Sequence, residues 1–184
     1  MLSKRLEQVA SMVTKGNIIA DIGTDHGYVP IYLAEIGKIK SALAMDVRIY
    51  LVEKGICPKA YAMDINQGPI ESAIKNIENY GLSEKIQAIK SNGLEKLEPE
   101  KADTIIIAGM GGELIVNILE NGLAKLENCS RPVKELVLSP HKRGDLVRKY
   151  LEEHKWHITD EKMLIDMNKF YTIIKAEKGQ ESYP

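Results

Sequence analysis

Four short segments combine acidic, amide and glycine residues in patterns that suit a small polar ligand. The first is Asp21-Ile-Gly-Thr-Asp-His-Gly-Tyr28. Gly23 allows a sharp turn and a close backbone approach with no Cβ in the way. The glycines are spaced G-x-x-x-G, so the G-x-G-x-x-G pattern of a dinucleotide site is missing. Asp21 before the turn and Asp25 within it would repel a pyrophosphate and suit a ligand that is cationic or rich in hydroxyls. The plainer alternative is a strand-to-helix turn in which Asp25 caps the helix.

The second is an acid at the end of a second strand, where a carboxylate can accept paired hydrogen bonds from ribose hydroxyls. Two residues compete for that place. Asp46 lies 23 residues after Gly23, near the usual spacing of about 20, while Asp64 leads into Ile65-Asn66-Gln67-Gly68-Pro69 and a strong helix. The third is Ser91-Asn92-Gly93-Leu94. The Asn92 amide both donates and accepts and so matches an adenine edge, but Asn-Gly is also a common turn. The fourth is Ala108-Gly109-Met110-Gly111-Gly112. Three glycines around a methionine exceed what a tight turn needs. Amides at a helix start can grip a ligand, and the missing side chains leave room for a flat one; close packing is the alternative.

These segments need a scaffold that brings strand ends together, and the rest of the chain supplies one. Apolar positions at helical spacing after Ser3 predict a helix over 3–14. Asn17–Asp21 reads as a short strand, and Pro30 sits in the first turn of the helix that follows. Strands are expected at Ala42–Asp46, Ala60–Asp64 and Lys85–Ile89, with a helix from Pro69 to a Gly81 stop. Asp103–Ala108 is a β-branched run of the kind buried on both faces of a sheet. A helix after Gly111-Gly112, a strand at Glu135–Leu138 and a helix at Asp145–Glu153 follow. Trp156–Ile165 and Phe170–Ala176 flank the turn-forming Asp166-Met167-Asn168-Lys169 and end the chain as a hairpin. The expected fold is α/β: a doubly wound, mostly parallel sheet with a C-terminal antiparallel hairpin, preceded by an N-terminal helix.

The chain has 184 residues, 25 Lys+Arg against 26 Asp+Glu and 44% hydrophobic residues, which suits one domain spanning 1–184. The charge balance excludes a generally basic nucleic-acid coater, though not a local basic face. No apolar run reaches the roughly 18 residues of a membrane span. The start of the chain lacks the apolar core of a signal peptide, so a cytoplasmic location is expected. Cys57 and Cys129 are isolated, with no zinc framework, and no metal is expected. Residues 31–47 and 49–65 repeat at an offset of 18, with nine of 17 positions identical. Two copies are too few for a solenoid, so this is a local duplication in which each copy ends a strand on Met-Asp.

Taken together, Leu2-Ser-Lys-Arg-Leu6, Ala20-Asp-Ile-Gly-Thr-Asp-His-Gly-Tyr28, Asp64-Ile-Asn-Gln-Gly-Pro69, Tyr80-Gly-Leu82 and Ile107-Ala-Gly-Met-Gly-Gly112 closely resemble the bacterial tRNA (adenine(22)-N1)-methyltransferase family. The resemblance covers about residues 2 to 178 apart from one repeat copy. It implies a Rossmann-like class I methyltransferase that uses S-adenosylmethionine and methylates N1 of an adenine in tRNA. It places Asp21 and Gly23 at the cofactor's methionine end and Asp64, with Ile65, at its ribose. Asn92, Gly93, Ala108, Gly109 and Met110 complete the cofactor side. Asp25 stands near the target base as the catalytic carboxylate, with Arg5, His26, Tyr28, Gly111 and Gly112 toward the substrate.

The chain departs from the family pattern in carrying Asn92-Gly93-Leu94 for Asp-Gly-Leu and Ser139-Pro140-His141 for a Gln-Pro-Asn-like ending. The family's C-terminal helical extension has no counterpart before Pro184. Lys4, Arg5, His141, Lys142, Arg143, Arg148 and Lys149 are the local basic groups available to RNA phosphates. Two alternatives stay open at this level: a methyltransferase acting on another substrate, and a degenerate, non-catalytic cofactor- or RNA-binding paralogue.

Overall fold

The Ser3 hydroxyl accepts a hydrogen bond from the Leu6 N–H at 3.3 Å and starts helix α1, Lys4–Met12; such a cap stabilises a helix by about 1 kcal/mol. In this computed structural model, which describes residues 2–24, 26–37 and 60–179, α1 buries Val9, Ala10 and Met12. The elements that follow are β1 (Ile19–Ile22), α2 (Tyr28–Glu35), β2 (Ala60–Asp64), α3 (Gln67–Asn79), β3 (Ile86–Lys90) and β4 (Thr104–Met110). They continue as α4 (Gly112–Glu127), β5 (Glu135–Pro140), α5 (Gly144–Glu153), β6 (His157–Asp166) and β7 (Lys169–Glu177). The expected strand at 42–46, and with it Asp46, Cys57 and most of the duplicated segment, lies outside the described residues, as does Asp25.

The seven strands form one sheet in the order β3-β2-β1-β4-β5-β7-β6. β1 to β5 pair in parallel, and β7 runs antiparallel to both β5 and β6. β7 is therefore the single reversed strand, and β6 runs with the others. A dinucleotide-binding sheet has the order 3-2-1-4-5-6; here the reversed β7 is inserted beside β5. Ile105 and Ile107 of β4 enter the core under α4 and α5, while Ile106 enters the core under α1, α2 and α3. The β-branched run was legible as doubly buried for this reason.

Boundaries moved where local chemistry allowed it. α3 begins at Gln67 rather than Pro69, because a proline in the first helical turn lacks only a donor the helix does not use. β4 runs on to Met110 through an irregularity between Ala108 and Met110, where Gly109 takes φ +89°. Met167 and Asn168 adopt φ 47° and 60°, a left-handed pair that matches the twist of a two-residue hairpin. Among the described residues no helix is long and apolar enough to cross a membrane.

Candidate functional site

In an open α/β sheet the ligand crevice lies beyond the carboxyl ends of the strands, where the strand order reverses. That point is here between β1 and β4, which are paired neighbours whose sequence-adjacent strands lie on opposite sides. Three of the four segments read from the sequence meet there, and the fourth follows β3 two strands away.

At the end of β1, Asp21 is buried and Gly23 takes φ +72°. The Gly23 and Thr24 N–H groups both donate to the Met63 carbonyl, at 2.7 and 3.0 Å, so the turn is tied to β2. Thr24 is 1% exposed, and its hydroxyl has no hydrogen-bond partner among the described residues. His26, at φ 60°, offers its carbonyl to the Asn76 amide at 2.9 Å, and its ring lies 5.5 Å from that of the half-exposed Tyr28. Gly27 opens α2 at φ +75°, and a Cβ there would meet the Ala73 Cβ at 3.4 Å. Close packing of α2 on α3 thus sets where the 21–28 loop stands.

Asp64 ends β2 immediately beside β1. Its Oδ1 accepts the Asn66 N–H at 2.7 Å, and Oδ2 takes no hydrogen bond among the described residues. Ile65 next to it is 56% exposed, an apolar surface that a flat ring could cover. After β3, the Asn92 amide donates to Glu95 Oε1 at 2.6 Å while the Asn92 carbonyl accepts the Glu95 N–H at 3.2 Å. In this arrangement Asn92 serves its own turn. Gly93, at φ +52°, is wedged against Ile118, 3.0 Å from where its Cβ would be.

The β4 loop divides into two parts. Met110 lies across the crevice, with its terminal methyl 2.0 Å from the point a Cβ on Gly23 would occupy. Gly112 instead faces backbone: its Cβ position is 2.1 Å from the Arg143 carbonyl oxygen, and its N–H donates to the Lys142 carbonyl at 2.8 Å. The His141 N–H donates to the Met110 carbonyl, also at 2.8 Å. Gly109 and Met110 therefore face the crevice, whereas Gly112 is the joint that locks this loop to the end of β5.

Arg5 reaches the same rim from α1. Its backbone N–H donates to Asp166 Oδ2 at 3.1 Å, and its guanidinium carbon is 5.4 Å from the centroid of the Tyr171 ring. The His141 ring is 5.4 Å from Tyr171, edge-on. Tyr171 and Lys169 did not emerge as site residues from the sequence, because only the register of β7 beside β5 brings the hairpin to this rim. Of the basic groups set aside for phosphates, Arg143 pairs with Asp145 and Glu113, Arg148 with Glu161, and Lys149 with Glu153. Arg5, His141 and Lys142 form no ion pair among the described residues. No group of three or more His, Cys, Asp or Glu is placed to hold a metal, again among the described residues. A groove of about 370 Å³ between α3 and β3, lined by Ile74, Ser83 and Gln87 among others, lies at the opposite rim.

The order of the sheet, its reversed seventh strand and the acid-ended β1 and β2 around a glycine-rich β4 loop define a Rossmann-like methyltransferase domain. A family model described as a methyltransferase domain matches residues 2–49 and 47–174, two stretches that meet where the duplicated copies join. The curated tRNA (adenine(22)-N(1))-methyltransferase of Bacillus subtilis is 35% identical over 178 residues, covering 97% of this chain and 66% of its own length. Sp1610 of Streptococcus pneumoniae, solved in complex with S-adenosyl-L-methionine, is 42% identical over 100% of this chain and 76% of its own, with a TM-score of 0.78. TrmK of M. capricolum, solved with the natural cofactor product S-adenosyl-homocysteine, is 32% identical over 97% of this chain and 70% of its own, also with a TM-score of 0.78. The chain belongs to the tRNA (adenine(22)-N1)-methyltransferase family, and it spans 66% of the length of the curated Bacillus relative.

Proposed function

We propose that this protein transfers a methyl group from S-adenosylmethionine to N1 of an adenine in tRNA, at a position of the type its Bacillus relative is named for. The observation that carries the reading is the convergence of Asp21, Gly23, Asp64 and the Gly109-Met110 segment on one rim of a methyltransferase sheet. The residues present suit that cofactor. Asp64 Oδ2 is an acceptor for a ribose hydroxyl, Asp21 is a carboxylate for an ammonium group, and the buried Thr24 hydroxyl, without a partner among the described residues, is a further polar group beside them. No pyrophosphate-binding glycine pattern competes with this assignment.

When bound, S-adenosylmethionine supplies an electrophilic methyl group on a sulfonium. Adenine N1 carries its own lone pair, so the protein needs no strong base to create a nucleophile. Its main contribution is alignment. As the new bond forms, positive charge moves onto the purine, and a carboxylate facing that ring stabilises it and can take up the N6 proton. Asp25, between Thr24 and His26, is the candidate. His26 on the same loop and Tyr28 at the start of α2 are the side chains that would contact the base. N1 lies on the Watson–Crick edge, so a paired target must first be unpaired or flipped out. A tRNA substrate would place the protein in the cytoplasm.

Mass spectrometry of nucleosides from tRNA incubated with protein and S-adenosylmethionine tests this directly. The expected result is 1-methyladenosine that depends on both components. Methylation of a different molecule, or cofactor binding with no turnover on tRNA, would replace the reading.

A further inference from the structure

Gly109, next to last in β4, takes φ +89°, and the point its missing Cβ would occupy faces nitrogens of Arg5 and His141. Arg5 Nη1 is 3.6 Å from that point, Arg5 Nη2 3.8 Å and His141 Nε2 3.9 Å. Arg5 Nη1 is also buried with no hydrogen-bond partner among the described residues. An unpartnered buried guanidinium nitrogen is costly, and three donors converging on one point match an oxyanion, which accepts from several donors at once. The Tyr171 ring lies beside both groups, its centroid 5.4 Å from the guanidinium carbon and its plane meeting the imidazole edge-on.

We propose that Arg5 and His141, braced by Tyr171, form a seat for one phosphodiester of the bound RNA next to the methylated nucleotide. The inference rests on the tRNA reading above and specifies how the substrate is held. Position in the sheet favours a phosphate over the cofactor's own carboxylate. Asp21, Gly23 and Asp64 mark the cofactor side over β1 and β2, whereas His141 follows β5 and Tyr171 lies on β7, on the far side of β4. The rest of the wall is cationic: Lys169 bears on His141, and Asp166, the nearby acid, is turned to the Arg5 backbone N–H. Partial desolvation, then Arg5 and Lys169, push the His141 pKa below its ordinary value, so at neutral pH the ring is uncharged, donating in its Nε2–H tautomer, and it gains charge only below about pH 6.5. The charged and titratable groups facing it are Arg5 from α1 and Lys169 and Tyr171 from β7.

The test compares the unaltered protein with Arg5→Ala and His141→Ala, measuring the KM for tRNA, its salt dependence, S-adenosylmethionine affinity by calorimetry, and Tm. His141 is exposed, so that variant keeps its fold. The expected result is a tRNA KM raised roughly tenfold or more in each variant. The log–log salt slope falls by about one in Arg5→Ala and holds nearly steady at neutral pH in His141→Ala, where the ring lost carries no charge, and cofactor affinity is unchanged in both. Binding of tRNA by the unaltered protein should tighten as pH falls below the ordinary imidazole value of about 6.5, and His141→Ala should flatten that trend. Unchanged tRNA KM and salt slope in both variants would overturn the seat while leaving the tRNA reading intact. Loss of cofactor affinity would overturn it by assigning the donors to the cofactor carboxylate. Failure of the unaltered protein to methylate tRNA would remove both the reading and the seat.

Discussion

The Cβ that any L-residue would place at position 112 falls 2.1 Å from the carbonyl oxygen of Arg143. This is backbone against backbone, since Arg143 itself is held at φ 54° and the Gly112 N–H is bonded to the Lys142 carbonyl. The contact seals the β4 loop to the β5 loop and so fixes where Gly109, Met110 and His141 stand. Gly112→Ala must push the two loops apart. The expected cost is about 1–3 kcal/mol, the range for overpacking, read as a lower denaturant midpoint. Because the β4 loop carries Gly109 and Met110 into the crevice, affinity for S-adenosylmethionine should fall as well. Unchanged stability in that variant would show that the joint yields freely.

Gly23 offers a contrasting case, because what blocks its Cβ position is the flexible end of Met110, at 2.0 Å. A methionine side chain has three rotatable bonds and can withdraw, but φ +72° still disfavours any side chain there. Gly23→Ala should therefore cost about 1 kcal/mol or more from backbone strain and weaken cofactor binding. Met110→Ala in the same chain should relieve the steric part and leave the backbone part. A double-mutant cycle by chemical denaturation separates the two; full additivity would exclude a Gly23–Met110 clash.

The two acids proposed for cofactor and base should separate binding from turnover. Asp64→Ala removes the acceptor at the end of β2 and should weaken S-adenosylmethionine binding by roughly tenfold, the loss of a hydrogen bond or two. Asp46→Ala should change it little. The reverse order in a calorimetric titration would move the ribose site to the other repeat copy. Asp25→Ala should bind cofactor normally and methylate tRNA about 10²-fold or more slowly, in keeping with a positioned acid–base group. Turnover at the unaltered rate would remove Asp25 from the mechanism.

A buried carboxylate far from the site couples the stability of the fold to pH. Glu135 is 2% exposed at the start of β5. It accepts from the Thr14 N–H at 3.0 Å, the Thr14 hydroxyl and the Thr104 hydroxyl at 2.8 Å, and Lys175 Nζ lies 3.0 Å away. Burial raises its pKa, but the bonds from Thr14, Lys175 and Thr104 together outweigh burial and hold it below its ordinary value. A carboxylate lowered on folding adds stability above its unfolded pKa of about 4.3 and loses it as pH falls through the folded value. Glu135→Gln should cost roughly 3 kcal/mol at neutral pH, with the deficit shrinking under acid. A deficit constant from pH 7 down to about pH 3 would show that the charge plays no part.

Much of this protein is written locally in its sequence. The Ser3 cap, the doubly buried 103–108 run and the Asp166–Lys169 turn each depend on residues a few positions apart, and each stands where local pattern places it. The glycine spacing by itself excluded a dinucleotide site. The tertiary structure decided what depends on distant partners. It set Asp64 beside β1 through strand pairing, gave Gly112 a packing role through the approach of the 142–143 backbone, and neutralised Arg143 and Arg148 with acids. It also brought the hairpin residue Tyr171 to Arg5, 166 positions away in the chain. Short-range periodicity carries no information about which strands become neighbours, and the cluster of Arg5, His141 and Tyr171 is built wholly from such neighbours.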